Sequence, residues 1–115
     1  MRIIEMRRSI EKFSSIEGIS DFLAAKIRDL VSKTPEDRFV SIALSGGSTP
    51  KAIYRHLSIH HKSTIDWSRI LLFWGDERCV GPESDQSNYN LALQGLISNI
   101  DIPESQVFRI KGEDE

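Results

Sequence analysis

The chain has 115 residues, 39% hydrophobic and 28% charged, which sets one small domain over residues 1–115 able to bury roughly two thirds of its unfolded surface. Its formal net charge of −2 leaves no electrostatic case for nucleic acid or an anionic membrane as partner. The single cysteine, Cys79, excludes an internal disulfide and fits a reducing cytoplasm, the expected location.

Met1 to Arg8 carries scattered charges without an apolar core of signal-peptide length, and no stretch approaches membrane-spanning length. A short strand is expected at about Ile3 to Ile10. Ser14-Ser15-Ile16-Glu17 then reads as a Ser-x-x-Glu capping box. Ile16, Ile19, Leu23, Ile27, Leu30 and Val31 recur at helical spacing, so this helix lays one face on a core. Thr34-Pro35-Glu36-Asp37 ends it.

Phe39 to Leu44 is an apolar run that breaks into Ser45-Gly46-Gly47-Ser48-Thr49-Pro50. Glycines let backbone amides approach a ligand closely. Thr49 is placed to cap the next helix, with Pro50 at its first position. The free N–H groups and positive dipole end of that helix form an anion site, for which phosphate is the natural guest. A lone Gly-Gly reads as a plain tight turn. Six small or capping residues at the carboxyl end of a strand point to phosphate.

Ile53, Tyr54 and Leu57 give the following helix its buried face. Arg69 to Trp74 lacks alternation, as expected of a strand covered on both faces of a parallel sheet. A long polar loop from Gly75 to Asp85 leads to a third helix patterned by Tyr89, Ala92, Leu93, Leu96, Ile97 and Ile100, and Gln106 to Ile110 reads as a last strand with an open edge. Alternating strands and helices imply a Rossmann-like α/β fold: a parallel sheet with helices on both faces. Ligands bind such sheets at the carboxyl ends of strands, where both polar loops lie.

The second of these loops, Trp74-Gly75-Asp76-Glu77-Arg78-Cys79-Val80, carries two carboxylates and an arginine. Arg78 can fork two donors onto a phosphate held by the glycine loop. Asp76 sits where a strand-end carboxylate meets a substrate hydroxyl, water or proton. Taken alone, Asp-Glu-Arg is an ordinary solvated charge cluster; its place opposite an anion loop raises it to a candidate site.

The segments Ala43 to Pro50 and Phe73 to Val80, followed by Ser84-Asp85-Gln86-Ser87-Asn88-Tyr89, resemble those of the 6-phosphogluconolactonases, which hydrolyse 6-phospho-D-glucono-1,5-lactone to 6-phospho-D-gluconate in the pentose phosphate pathway. The related glucosamine-6-phosphate deaminases share the glycine loop but usually carry Leu-Asp-Glu-Tyr where this chain has Gly75-Asp76-Glu77-Arg78. The resemblance implies that Ser45, Gly46, Gly47, Ser48, Thr49 and Arg78 hold the sugar phosphate. It also implies that Asp76 points into the cleft as the tentative catalytic residue, and that Ser87 and Asn88 line it. Anchoring the phosphate would fix the lactone carbonyl against a water and a base.

Such lactonases carry a later Asp-Gly-His segment whose histidine is the expected general base. Nothing after Ile110 contains it, and the chain resembles the amino-terminal half of a family member, truncated relative to the rest. His56 and His60 are four apart, a spacing that suits a metal. No carboxylate or cysteine stands at ligand spacing beside them, so with His61 they read as a solvated helix end. No metal and no cofactor is expected. Trp67 and Trp74 read as core aromatics, Cys79 as a packing residue, and Lys51 equally as a phosphate contact or a solvated first-turn lysine. The readings are a lactonase half acting on a sugar phosphate, a non-catalytic sugar-phosphate-binding fragment, or a half-protein that needs a complementary carboxyl-terminal polypeptide.

Overall fold

The computed structural model describes residues 10–114; the strand expected at about Ile3 to Ile10 lies outside them but for its last residue. The first helix, α1, spans Ile16–Lys33. Its N-cap is Ser15, whose hydroxyl accepts the Gly18 N–H at 3.1 Å, so the expected Ser14–Glu17 box is replaced by a single cap one residue later. The buried stripe is displaced as well. Ser20 and Ala24 are fully buried and Ile27 and Val31 partly so, while Leu23 and Leu30 are exposed. The latter two lie over a groove beside Ile42 rather than in the core.

Strand β1 (Val40–Leu44) and strand β2 (Ile70–Trp74) pair in parallel, in register from Val40↔Ile70 to Leu44↔Trp74. This is the adjacent parallel pair that their apolar sequences predict. Between them runs α2 (Ser48–His60). A short 3-10 turn, Trp67–Arg69, precedes β2 and is capped by Asp66, whose side chain accepts the Ser68 N–H. Arg69 therefore lies outside the strand, and its guanidinium ties down the α1–β1 connection through the carbonyls of Thr34, Pro35 and Arg38.

The third helix, α3, is shorter than its apolar pattern suggests: Asn88–Gly95, followed by a separate 3-10 turn at Ile97–Asn99. Leu96, between them, leaves helical geometry at φ −132° and ψ −62° yet stays buried, so the hydrophobic pattern survives the break. Gly95 is where α3 meets α2; a Cβ there would lie 3.2 Å from the Cβ of Tyr54.

The last strand is reduced to a single parallel bridge, Leu72↔Val107, with the Phe108 N–H donating to the Leu72 carbonyl at 2.8 Å. A longer ladder would send the Gln106 N–H to the Ile70 carbonyl, two residues back on each strand. Instead that N–H turns to Pro103 in the 3-10 turn Glu104–Gln106, and the Gln106 side-chain amide takes the Ile70 carbonyl at 2.8 Å. One glutamine thus substitutes for a ladder rung.

Side chains alternate across a strand. Val40, Ile42 and Leu44 with Ile70, Leu72 and Trp74 form one face, and against it pack Ala24 of α1, Tyr54 and Leu57 of α2, and Ala92 of α3. The described helices thus cover one face of the sheet; the helices expected on the other face are not among the described residues. There Phe73 stacks on Phe108 with ring centroids 5.0 Å apart, both partly in solvent. With Val107 on one side of β2 and β1 on the other, β1 and the Val107 segment both stand at sheet edges among the described residues.

Candidate functional site

Leu44 and Trp74, side by side at the carboxyl ends of the strands, release the chain into the two loops that build the site. Past Leu44 the chain is held by Tyr54, whose hydroxyl donates to the Ser45 carbonyl and accepts the Ser45 N–H at 3.1 Å. Burial pushes the Tyr54 hydroxyl above its ordinary value of 10, with the Ser45 bond opposing it. Gly46 follows so closely beneath Asn88 that a Cβ would stand 1.9 Å from its Oδ1. Gly47, at φ 110° and ψ 173°, occupies a region open to glycine.

Gly47, rather than Thr49, is the N-cap of α2, and Pro50 is its third residue. Its carbonyl accepts the Lys51 N–H at 3.0 Å. No side chain caps this end, so the N–H groups of Ser48 and Thr49 have no intrahelical acceptor and the positive end of the helix faces outward.

Beyond Trp74, Glu77 turns inward and organises the second loop. Its carboxylate accepts the N–H groups of Asn88 (2.7 Å), Tyr89 (3.0 Å) and Arg78 (2.8 Å) and the Ser87 hydroxyl (2.8 Å). Burial raises its pKa, but the bonds from Tyr89, Asn88, Arg78 and Ser87 outweigh that and hold the carboxyl below its ordinary 4.5. Ser87, in turn, is the N-cap of α3 and accepts the Asn90 N–H at 3.1 Å. Glu77 is thus the residue that sequence reading missed. The signal was an acid placed ten residues before a Ser-Asn helix start, legible only once the loop closes.

A cleft of about 480 Å3 opens between the two loops, lined by Gly47, Ser48, Lys51, Arg78, Ser87 and Asn88 among others. Five of the expected site residues therefore meet around one space, and Lys51 joins them. Arg78 and Lys51 are exposed, with no ion-pair partner among the described residues. Asp85 is the one acid on the cleft wall. Ser87 and Asn88 are only 2% and 8% exposed, so both act mostly as framework. The Asn88 side-chain amide donates to the Asp76 carbonyl and to Asp76 Oδ1, each at 3.3 Å, and its backbone carbonyl accepts Trp74 Nε1–H. Asp76 is exposed, and it stands outside the cleft lining together with Ser45, Gly46 and Thr49. A larger trough of about 940 Å3 continues from Ser48 and Lys51 along α2 and α3 past Arg55.

The histidines do not form the pair that their spacing suggests. His56 and His60 meet as tilted rings, 39° between planes, with centroids 4.4 Å apart. His56 and His61 instead converge on Asp21, a carboxylate brought from α1.

Residues 14–115 match the family model for glucosamine-6-phosphate isomerases/6-phosphogluconolactonase. The chain belongs to this family. Within the glucosamine-6-phosphate isomerase/6-phosphogluconolactonase family it is similar to the 6-phosphogluconolactonase of Treponema pallidum, 40% identical over 102 residues, covering 89% of this chain and 41% of the relative. It is also similar to the 6-phosphogluconolactonase of Chlamydia pneumoniae, 44% identical over 72 residues, covering 63% of this chain and 28% of that one. Among solved structures, the 6-phosphogluconolactonase from Trypanosoma brucei superposes with a TM-score of 0.79 at 32% identity, over 94% of this chain and 41% of that protein. The chain thus spans less than half the length of the curated relatives it matches. Among the described residues, no helix is long and apolar enough to cross a membrane.

Proposed function

We propose that these residues are the phosphate-anchoring part of a 6-phosphogluconolactonase acting on 6-phospho-D-glucono-1,5-lactone. One observation carries the reading: an uncapped helix start at Gly47–Ser48 and the unpaired Arg78 guanidinium face the same cleft. Backbone donors and a helix dipole favour an anion, and a guanidinium adds a planar pair of donors suited to phosphate. Lys51 supplies a second positive charge. Asp76, bonded to the Asn88 amide beside the cleft, is the carboxylate this half offers to the reacting end of the substrate.

Hydrolysis of the lactone needs a water deprotonated as it attacks the carbonyl, and a positioned general base contributes a factor of roughly 100 to 10,000. The Asp-Gly-His segment that the resemblance assigns to this task is not in residues 1–115. The chain by itself is therefore a binding half. Two observations favour a complementary polypeptide. Phe73 and Phe108 are 38% and 45% exposed on the sheet face opposite the helices. Trp67 Nε1, at the groove between α1 and the free edge of β1, is buried with no hydrogen-bond partner among the described residues.

The test is a calorimetric titration with 6-phosphogluconate, followed by a lactone assay corrected for spontaneous opening. Arg78→Ala should weaken binding by about 1.5–3 kcal/mol, the worth of a charge-assisted bond. Unchanged binding in that variant removes Arg78 from the site. Hydrolysis by the 115-residue chain should stay near background and rise when the remaining half is supplied. A full rate from the chain alone would assign the base to a residue within it, Asp76 first.

A further inference from the structure

Away from the phosphate cleft, where α1 packs on the carboxyl end of α2, three metal-ligating side chains meet. His56 Nε2 lies 2.8 Å and His61 Nε2 2.7 Å from the same oxygen, Asp21 Oδ1. The three ligand atoms all fall within 4.8 Å of one another. Tetrahedral zinc with bonds of about 2.0–2.1 Å holds its donors roughly 3.3 Å apart. An outward movement of about half an ångström therefore makes room for an ion. Such a shift is within reach of an aspartate on the surface.

We propose that Asp21, His56 and His61 form a binding site for a divalent transition ion of the zinc class, joining α1 to α2. The donor set decides the class: imidazole nitrogen with one carboxylate suits zinc, cobalt or nickel, whereas magnesium and calcium take all-oxygen sets. The rings are held for the purpose. His61 Nδ1 lies 3.1 Å from Thr64 Oγ1, and that oxygen also accepts from Arg28 Nη1 at 3.3 Å. At 2.7 Å from the Asp21 carboxylate, His61 Nε2 carries the proton that an ion would replace, while Thr64 and Arg28 fix the ring from its Nδ1 side.

Exposure fits an ion entering from solvent. The imidazoles are 12% and 13% exposed, and the Asp21 side chain 58%. The two rings form a walled base, and the carboxylate closes over it from the open side. Three protein ligands leave a fourth position for water. Arg28 stands 3.4 Å from His61 Nδ1, on the far side of the ring from the ion, and its charge tempers the affinity. Binding displaces the protons shared between Asp21 and the rings.

The test is a titration of the whole chain with zinc chloride, with cobalt(II) as the absorbing substitute and magnesium as the negative control. One equivalent should bind, raise the melting temperature and, as cobalt, give the visible bands of a nitrogen- and oxygen-ligated ion. His56→Ala and Asp21→Asn should each weaken zinc binding at least tenfold. His60→Ala, which removes the ring tilted against His56 but no ligand, should leave it unchanged. Nitrogen NMR of the wild-type rings needs no variant: zinc should shift Nε2 of His56 and His61 and spare His60. Equal losses from His60→Ala and His56→Ala, or magnesium binding as well as zinc, would overturn the proposal. So would no zinc-induced change at the two Nε2 atoms, which would leave the cluster a hydrogen-bonded clamp between helices. None of these readouts involves the phosphate cleft, so the outcome is independent of the lactonase reading.

Discussion

Two helices begin at the cleft between the loops, and the chain treats their amino termini in opposite ways. At α3, Ser87 accepts the Asn90 N–H, and the Glu77 carboxylate takes those of Asn88 and Tyr89. That end is closed, its dipole balanced by an internal acid. At α2 the cap is Gly47, with no side-chain acceptor and no acid in the first turn. Orphan N–H groups arise at any helix start; here those of α3 are spent on the fold and those of α2 are left for solvent or a ligand. The difference separates the framework of this site from its working surface. It also sets neighbours in one motif apart, Glu77 bonded into the framework and Arg78 exposed on the cleft wall.

Removing the framework acid should have the largest effect on stability. Glu77→Ala strips the acceptor from three backbone amides and the Ser87 hydroxyl, and should destabilise the chain by about 2–3 kcal/mol, a lost cap plus a charge-assisted bond. Arg78→Ala should leave the denaturation midpoint close to wild type. Urea titrations of both variants check the contrast, and equal midpoints for the two would break it.

A smaller effect is expected from Gly46→Ala, which couples the closed end to the open one. The new methyl would collide with Asn88, whose amide holds Asp76. Overpacking of this kind costs about 1–3 kcal/mol, and it should also weaken phosphate binding by moving the start of α2. Adding Asn88→Ala should recover part of the loss, because residues in contact are not additive. A double variant as destabilised as the sum of the singles would show that the two loops are not in contact.

The smallest effect is in pH dependence. The Glu77 carboxyl is held below its ordinary 4.5 when folded, so the unfolded chain binds the proton first and stability falls as pH drops below that value. The contribution is complete above about pH 6 and fades through the folded pKa. Glu77→Gln should flatten this acid limb in melting temperatures measured from about pH 6 to pH 3. An unchanged limb would place the titration elsewhere. Partial exposure to solvent keeps the effect modest.

Much of this molecule was legible before any coordinates. The runs Phe39–Leu44 and Arg69–Trp74 announced a parallel pair, because two largely apolar runs without strict alternation, joined through a helix, leave little else for the chain to do. The glycine loop and Asp-Glu-Arg motif announced the family, since few other sequences share that order of small, capping and cationic residues. Local rules located the turns to within a residue or two, and erred where near-equivalent caps competed, as Ser14 against Ser15 and Thr49 against Gly47.

What required the tertiary structure were the contacts between residues far apart in sequence. Gln106 cuts the last strand short by reaching the Ile70 carbonyl 36 residues away. Glu77 becomes a cap only when its loop folds back on α3. Asp21 joins His56 and His61 only when α1 lies against α2, at separations of 35 and 40 residues. Periodicity and propensity describe what a segment does with its neighbours in sequence. Which carboxylate meets which donor across the fold depends on how the segments pack, and that is decided by the shape of the whole core.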